Sequence, residues 1–526
     1  MSAPVSIPAV GRAGTAGVLA AMCLSLVLVV ASVSALNLAL PDLAVDLDAS
    51  NTALTWIADA YTVALAALVL PFGAIGDRWG RRNVLIVGNV VFGAASMAAA
   101  LTAQTTTELI IWRAVMGIAA AMIMPGTLST ITAAFPIQQR ARGVAAWSGF
   151  AAAGAIVGLL AAGALLEVWT WRSIFLTSAV VAAVSVGAAA VLAPNTADTQ
   201  PPTPDLAGAI TTALGIGTVV FAIIEGNDRG WTTPIVMTAV VVSVLSFTAY
   251  AAVGFRKNQP LLDPRLFGVP GFRAGAVTIL VQFMAIFGFF FVGLQYLQLI
   301  LAYSPLTSAV ALVPVAVVVV PASLVTPRIV GGIGLKAVMA IGLIMLGAGL
   351  FSISRLTVDS GYWPFLAGLI ICGIGIGMLS SAATAAIVGS LNSDKQGVAS
   401  AVNDTTREIG SAVGIALTGS IFSSHYRSGL PPTVNTLPLG AAETVRHSAA
   451  GGLAVAGHLG PGGVALADAV DHAFIDGLSA SLVVITVILL VAALGCLLRA
   501  PHRLPDATVH ALDKTPDADQ TMRAPH

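Results

Sequence analysis

The sequence predicts an all-α membrane protein of the kind in which two six-helix halves flank two inserted central helices, about 14 transmembrane helices in all. Three observations predict it. Of 526 residues, 57% are hydrophobic and only 9% charged, against roughly 25% charged in a soluble domain. Apolar runs of about 18 to 25 residues recur along nearly the whole chain, each long enough to cross a hydrocarbon core of roughly 30 Å as a helix. The chain also repeats itself: "RGVAAW" at 142–147 returns as "QGVASA" at 396–401, and Gly154, Gly158 and Gly163 return as Gly410, Gly414 and Gly419.

In order, the expected spans are 17–40, 52–75, 83–103, 107–131, 143–166, 172–193, 206–225, 234–254, 272–300, 307–326, 335–355, 363–388, 399–423 and 479–499. Helices satisfy every backbone polar group inside lipid, which is why each run is read as one. The first run follows a weakly basic start with Arg12 and contains Val33-Ser34-Ala35, which loosely resembles a cleavage site. It is too long for a signal-peptide core and is kept as a span. An even number of spans puts both termini on one side. Taking that side as the cytoplasm leaves 17 of the 24 Lys and Arg inside, while Arg172, Arg229, Arg355, Arg427 and Arg446 fall outside and Arg113 and Arg407 fall within spans. The positive-inside rule therefore selects a multi-pass protein of the cytoplasmic membrane with both termini cytoplasmic.

The domain organisation follows from the repeat. Residues 1–193 form an N-terminal six-helix half, 194–205 a Pro-rich cytoplasmic linker, 206–254 two inserted helices, and 255–499 a C-terminal six-helix half. The stretch 424–478 is expected as one long external loop, and 500–526 as a disordered polar tail. Around the second helix of each half, "LPFGAIGDRWGRRNVLIVG" at 70–88 is weakly echoed by "VPASLVTPRIVGGIGLKAVMAIG" at 320–342. Parallel repeats of this kind place a path for a small molecule at their interface, near the bilayer midplane.

Composition also excludes functions. The net charge is zero, with 24 basic and 24 acidic residues, so nothing suggests nucleic acid. Cys23, Cys372 and Cys496 lie far apart in apolar runs, which fits neither a disulfide framework nor a metal site. His447, His458 and His472 are irregularly spaced and read as residues of a solvated loop. No nucleophile–base cluster marks an enzyme, and no Walker-type loop marks ATP as an energy source. No cofactor is expected.

The most specific segment is "GAIGDRWGRRNVLIVG", Gly73 to Gly88, at the cytoplasmic join of the second and third spans. Gly73, Gly76 and Gly80 permit a tight turn and close helix approach. Asp77 can meet a helix N-terminus or one of Arg78, Arg81 and Arg82, a contact that forms in one state and breaks in another. This segment resembles the signature loop of the major facilitator superfamily, Gly-x-x-x-Asp-Arg-x-Gly-Arg-Arg. Across nearly the whole chain the resemblance is to the fourteen-helix drug:proton antiporter branch. It is carried by "NLALP" (37–41), "WIADAY" (56–61), "LIIWRAVMGIAAAMIMP" (109–125), "EGNDRGW" (225–231), "PLLDPRLF" (260–267), "QYLQ" (295–298) with "YSPLTSAVALVP" (303–314), and "NDTTREIGSAVGIALTG" (403–419).

The resemblance implies a secondary active transporter, a monomer, that exports a drug, antibiotic or toxic metabolite by proton antiport through alternating access, with Arg113 as the branch's buried arginine. The alternative is a proton-coupled importer or facilitator for a small metabolite. Two positions depart from the branch. Ser32 stands where the first helix usually carries an aspartate, and Leu159 where the fifth carries a proline, so the packing glycines Gly154, Gly158 and Gly163 survive without the bend. Coupling needs a titratable group inside the membrane, where an unpaired charge costs about 2.5 to 3.5 kcal/mol or more. The candidates are Asp59, Arg113, Asp404, Arg407 and Glu408. The last three share one helical sector by their spacing, although a structural Asp404–Arg407 pair fits that spacing equally well. Trp56 and Tyr61 on the second span and Gln282, Phe283, Phe287, Phe290, Gln295, Tyr296 and Gln298 on the ninth supply aromatic and amide groups suited to amphiphilic or cationic substrates.

Overall fold

The structure is a computed structural model that describes residues 12–195, 205–257, 260, 263–390 and 396–502. No strand occurs among the described residues. The first half comprises α1 (Arg12–Asp46), α2 (Asn51–Trp79), α3 (Arg81–Thr102), α4 (Thr106–Ala134), α5 (Ile137–Leu166) and α6 (Arg172–Leu192). The insert is α7 (Leu206–Arg229) and α8 (Pro234–Arg256). The second half comprises α9 (Pro270–Gln295), α10 (Pro305–Ala311), α11 (Val313–Ile333), α12 (Leu335–Ser354), α13 (Tyr362–Gly389), α14 (Gln396–Gly429), and α17 (Val464–Arg499), with α15 (Leu439–His447) and α16 (Ala449–His458) between the last two. Linker residues 196–204 and tail residues 503–526 lie outside the described residues.

Twelve helical segments among the described residues are long and apolar enough to cross a membrane, α10 and α11 counting as one. The 14 expected from sequence are not reached on that criterion. α14 carries Asp404, Arg407 and Glu408 among many Ser and Thr residues.

Several helices run past the expected spans. α1 continues through Pro41 to Asp46, and α17 starts at Val464 instead of 479. An apolar run marks only what must lie in lipid. The helix itself ends where the backbone breaks, as at Asp48, whose φ is 46°. The expected loop 424–478 is likewise folded. Tyr426 is buried and donates to the Val445 and Ser448 carbonyls at 2.7 and 3.3 Å, tying the end of α14 to α15 and to the cap of α16. Such short, Ala- and Gly-rich helices carry too little periodic signal to be read from sequence.

Packing repeats along with sequence. α1 lies on α5 as α9 lies on α14, α2 on α4 as α11 on α13, and α3 on α4 and α6 as α12 on α13 and α17. The halves meet through α2 with α14, α5 with α10, and α1 with α9. α7 lies against α2 and α14, and α8 against α7. The base of this hairpin is closed by Lys257 Nζ on Asp205 Oδ1 at 2.5 Å.

Small residues set the helix separations, since van der Waals packing rather than water drives association in lipid. A Cβ added to Gly158 would stand 2.6 Å from Ala31 Cα of α1, and one on Gly163 2.8 Å from Leu306 Cα of α10. In the second half a Cβ on Gly414 would meet the Met284 carbonyl of α9, and one on Gly419 the Thr55 side chain of α2. Gly154 is less tight, at 3.4 Å from Val27 Cα. Close approaches between the halves gather at the end where α2 begins. There Gln298 Nε2 also donates to the Leu38 carbonyl at 2.9 Å, and the Leu306 N–H to Glu167 Oε1 at 3.2 Å.

Gly158→Leu is therefore expected to cut the yield of folded, monodisperse protein several-fold, whereas Gly154→Ala leaves it near wild type. Size-exclusion chromatography of detergent-solubilised variants checks this, and equal yields would show that the α1–α5 crossing can widen without loss.

Candidate functional site

A guanidinium within a membrane helix must find its partners inside the protein. Arg113 of α4 is fully buried and takes carbonyls from two other helices: Nε donates to the Ile57 carbonyl at 3.1 Å, and Nη1 and Nη2 reach the Ser32 and Ala58 carbonyls at 3.5 Å. Its carbon Cζ lies 4.5 Å from the centre of the Tyr61 ring. Tyr61 in turn donates to the Val29 carbonyl of α1 at 3.0 Å and meets Phe92 of α3 edge-on. Arg113 and Tyr61 thus lock α1, α2, α3 and α4 together.

Between the Ala58 carbonyl and Tyr61, within this lock, lies Asp59, also fully buried. Its Oδ1 accepts from the Thr62 hydroxyl, while Oδ2 has no hydrogen-bond partner among the described residues. The Ser32 hydroxyl is likewise buried without a partner. An unpaired carboxylate oxygen is costly in a dry interior.

Across the seam, α14 contributes Asp404, Arg407 and Glu408, all partly exposed. Arg407 Nη1 is 3.8 Å from Asp404 Oδ1, and its guanidinium lies 4.6 Å over the Phe283 ring of α9. Phe283, Phe287 and Phe290 form a ladder along one face of α9, with centroid spacings of 6.2 and 6.1 Å. α14 packs against α2 of the N-terminal half as well as against α9. The charged groups of the two halves therefore share one region around the α2–α14 seam.

The remaining aromatic and amide candidates are mostly embedded in the helix walls. Gln282 is buried, with Nε2 donating to Ser380 Oγ at 2.8 Å. Gln295 donates to the Phe291 carbonyl of its own helix, and Tyr296 to the Ser360 carbonyl at 3.1 Å while stacking on Phe365. Trp56 faces the insert, its Nε1 donating to Glu225 Oε1 of α7 at 2.7 Å. Of the nine aromatic and amide candidates, Trp56, Phe283, Phe287, Phe290 and Gln298 keep partly exposed side chains.

The signature segment is not a loop. Gly80 alone separates α2 from α3, with φ 98°, a conformation that Gly tolerates and other residues resist. Asp77 near the end of α2 pairs with Arg81 in the first turn of α3 at 2.9 Å. Arg81 also donates to the Ser129 carbonyl of α4 at 3.3 Å, Arg82 donates to the Ala190 carbonyl of α6, and Arg78 is exposed. Gly73 lies beside Pro125 of α4, and a Cβ at Gly76 would meet open space. The second half repeats the break at Gly334, φ 87°, without an Asp–Arg pair across it. No cluster of three metal-ligating side chains occurs among the described residues.

Sequence reading missed the polar end of α7. Glu225 and Asp228 take partners from α2 and α14, a role their spacing on one short segment does not reveal.

Arg113→Lys keeps the charge but lacks the planar fork that reaches three carbonyls. Losing hydrogen bonds from a charged group, at about 1.5 to 3 kcal/mol each, is expected to lower the melting temperature by several degrees. A thermal-shift measurement on purified protein reads this, and an unchanged melting temperature would show that the fork is dispensable.

Known proteins place this arrangement. The Major Facilitator Superfamily profile matches residues 22–415. The multidrug efflux pump LfrA of Mycolicibacterium smegmatis is 31% identical over 480 residues, 90% of this chain and 94% of that protein. The methylenomycin A resistance protein of Streptomyces coelicolor is 32% identical, covering 80% and 88%. The methyl viologen resistance protein SmvA of Salmonella typhimurium is 30% identical, covering 88% and 93%. In fold, the chain resembles a bacterial homologue of the lysosomal transporter Spinster in an inward-facing conformation, with a TM-score of 0.66, 15% identity, and 93% and 99% coverage. A peptide transporter bound to sulfate gives a TM-score of 0.63 at 14% identity, covering 92% and 94%. The helical repeat, the Gly73–Gly88 segment and these matches agree: the chain belongs to the Major Facilitator Superfamily, a family of membrane transporters rather than enzymes.

Proposed function

We propose that the protein exports a small organic compound, a drug, antibiotic or toxic metabolite, across the cytoplasmic membrane by proton antiport with alternating access. The observation that carries this reading is the meeting of embedded carboxylates, arginines and an aromatic ladder at the α2–α14 seam. Relatives at 30 to 32% identity that bear drug-efflux and drug-resistance names support the substrate class.

In this reading about 14 helices cross the membrane. α5 and α14, of 30 and 34 residues, reach about 45 and 51 Å at 1.5 Å per residue, and each holds the place in its half that the repeat assigns. The excess of Lys and Arg on the cytoplasmic side sets both termini inside. The unit is a monomer with an N-terminal half to residue 193, the insert 206–254 and a C-terminal half 255–499. The end where the halves touch most closely then faces outward, and the substrate path opens inward.

The proton carrier is a carboxylate among Asp59, Asp404 and Glu408. Asp404 and Glu408 are partly exposed and share their helix with Arg407, and an inward opening of the seam brings them to the cytoplasm. Protonation from outside neutralises the carrier. Release inside restores a negative charge that attracts a cationic substrate and disfavours closing without cargo. Each pH unit supplies about 1.4 kcal/mol, and a charge moving through 100 mV about 2.3 kcal/mol. The substrate wall is the Phe283–Phe287–Phe290 face with Arg407, since Tyr61, Gln282, Gln295 and Tyr296 are occupied within the walls.

Expression in an efflux-deficient host is expected to raise tolerance to a subset of amphiphilic or cationic compounds, an effect lost on adding a protonophore. Tolerance that survives the protonophore would remove proton coupling, and uptake instead of efflux would favour the importer reading. Glu408→Gln and Asp404→Asn are expected to abolish uphill export, at least one while sparing downhill exchange. If both, singly and combined with Asp59→Asn, still build a protonophore-sensitive gradient, these carboxylates do not carry the proton.

Asp77→Asn removes the pair that spans the Gly80 break. It is expected to depress transport several-fold while substrate binding at equilibrium stays near wild type. A large loss of binding with an unchanged distribution of states would contradict that assignment.

A further inference from the structure

The insert has no counterpart in the repeat, yet the last two turns of α7 reach in two directions. Toward α2 of the N-terminal half, Glu225 Oε1 accepts from Trp56 Nε1 at 2.7 Å, and Phe221 lies 6.0 Å from the Trp56 ring. Toward α14 of the C-terminal half, Asp228 pairs with Arg427. Glu225 Oε2 is held separately by Arg229, one turn further along α7 itself. Beneath these anchors, Val220 and Ile224 of α7 pack with Ala412 and Ala416 of α14, and Trp56 and Val63 of α2 border the same cluster. Trp56 is the neighbour of Thr55, the residue that fills the close approach to Gly419. The two anchors therefore stand where the halves meet most tightly.

We propose that Glu225 and Asp228 are positioning residues that make α7 a clasp across this end of the seam, closed here and released on the α2 side when the end opens. This rests on the alternating-access reading above. A stiff helix bound to both α2 and α14 cannot follow both when they part. Electrostatics decides which anchor yields. Parting Asp228 from Arg427 separates two opposite charges, both side chains about one-quarter exposed, whereas parting Glu225 from Trp56 gives up one bond to a neutral indole. Glu225 is not stranded by that loss, because Arg229 keeps its other oxygen. The insert thus travels with the C-terminal half, and the Trp56–Glu225 bond is the part that opens and closes.

Pulsed electron–electron distance measurements on protein in lipid nanodiscs test this without any substrate. Labels at Thr52 and Ser428 report the gap between α2 and α14, and labels at Thr232 with Thr52 or Ser428 report which half the insert follows. The native cysteines are buried among the described residues and leave the labels specific. Glu225→Ala is expected to move Thr52–Ser428 distances toward longer values and leave Thr232–Ser428 distances in place. Glu225→Gln, which keeps an oxygen for the indole, shifts the gap less and serves as the readout if Glu225→Ala does not fold. Asp228→Arg loosens the α14 anchor, and the double variant Asp228→Arg/Arg427→Asp restores wild-type distances.

A Thr52–Ser428 distribution that none of these variants changes, or an insert that follows Thr52, overturns the clasp. A charge swap that fails to restore the distances, with the protein still folded, overturns the Asp228–Arg427 anchor. The result separates from the transport reading: distances that respond in a protein that exports nothing keep the clasp and sink the export proposal, whereas export with unresponsive distances does the reverse.

Discussion

Everything in the N-terminal half is arranged around the requirement that a buried guanidinium be surrounded by oxygen. Lipid offers Arg113 nothing, and its bonds reach carbonyls of two neighbouring helices while its flat face rests on Tyr61. Those bonds fix the separation of α1, α2 and α4. That separation in turn requires Gly117 of α4, where a Cβ would run into the Tyr61 carbonyl. Beside these bonds, Asp59 Oδ2 and the Ser32 hydroxyl have no hydrogen-bond partner among the described residues, so this tightly packed part of the half also holds unsatisfied polar groups. Incompletely satisfied groups of this kind are where a membrane protein can couple to protons and ligands.

The two halves solve the same packing problem with the same residue type and different partners. Gly158 admits Ala31 of α1, and Gly414 admits the Met284 backbone of α9. Gly163 and Gly419 each reach past their own half to touch the other. Pseudo-symmetry thus provides both the helix crossings within a half and the two contacts between halves. Asymmetry is laid over it in charge, since Gly80 is flanked by Asp77 and Arg81 whereas Gly334 is followed by Leu335 and Lys336.

Most of the fold was legible because lipid constrains composition so severely. Every apolar run became helix, and the correspondence of Gly154, Gly158 and Gly163 with Gly410, Gly414 and Gly419 reappeared as equivalent crossings. Helix ends were not legible, since an apolar window reports hydrocarbon thickness while α1 and α17 extend beyond it. The fold of α15 and α16 was hidden for a related reason, since a helix of nine or ten residues gives little periodic signal. At the site, Arg113 and the Asp404–Arg407–Glu408 sector could be named because charge is rare within spans. Which aromatic residues face open space could not. Trp56 lies two residues from Ala58 and three from Asp59 on the same helix, yet its neighbour is Glu225, 169 positions away.

The α7–α8 hairpin, closed at its base by Asp205 and Lys257, has a consequence for how such a chain could arise. An insert that crosses the membrane twice returns to the side it left, so the second half enters the bilayer in the same sense as the first. A single crossing would have turned that half over, and the matched glycine contacts that hold the two halves together would have been lost. Parity, more than sequence, is the condition that an addition between duplicated halves has to meet. A self-contained hairpin meets it, leaving its own side chains free to diverge toward new partners.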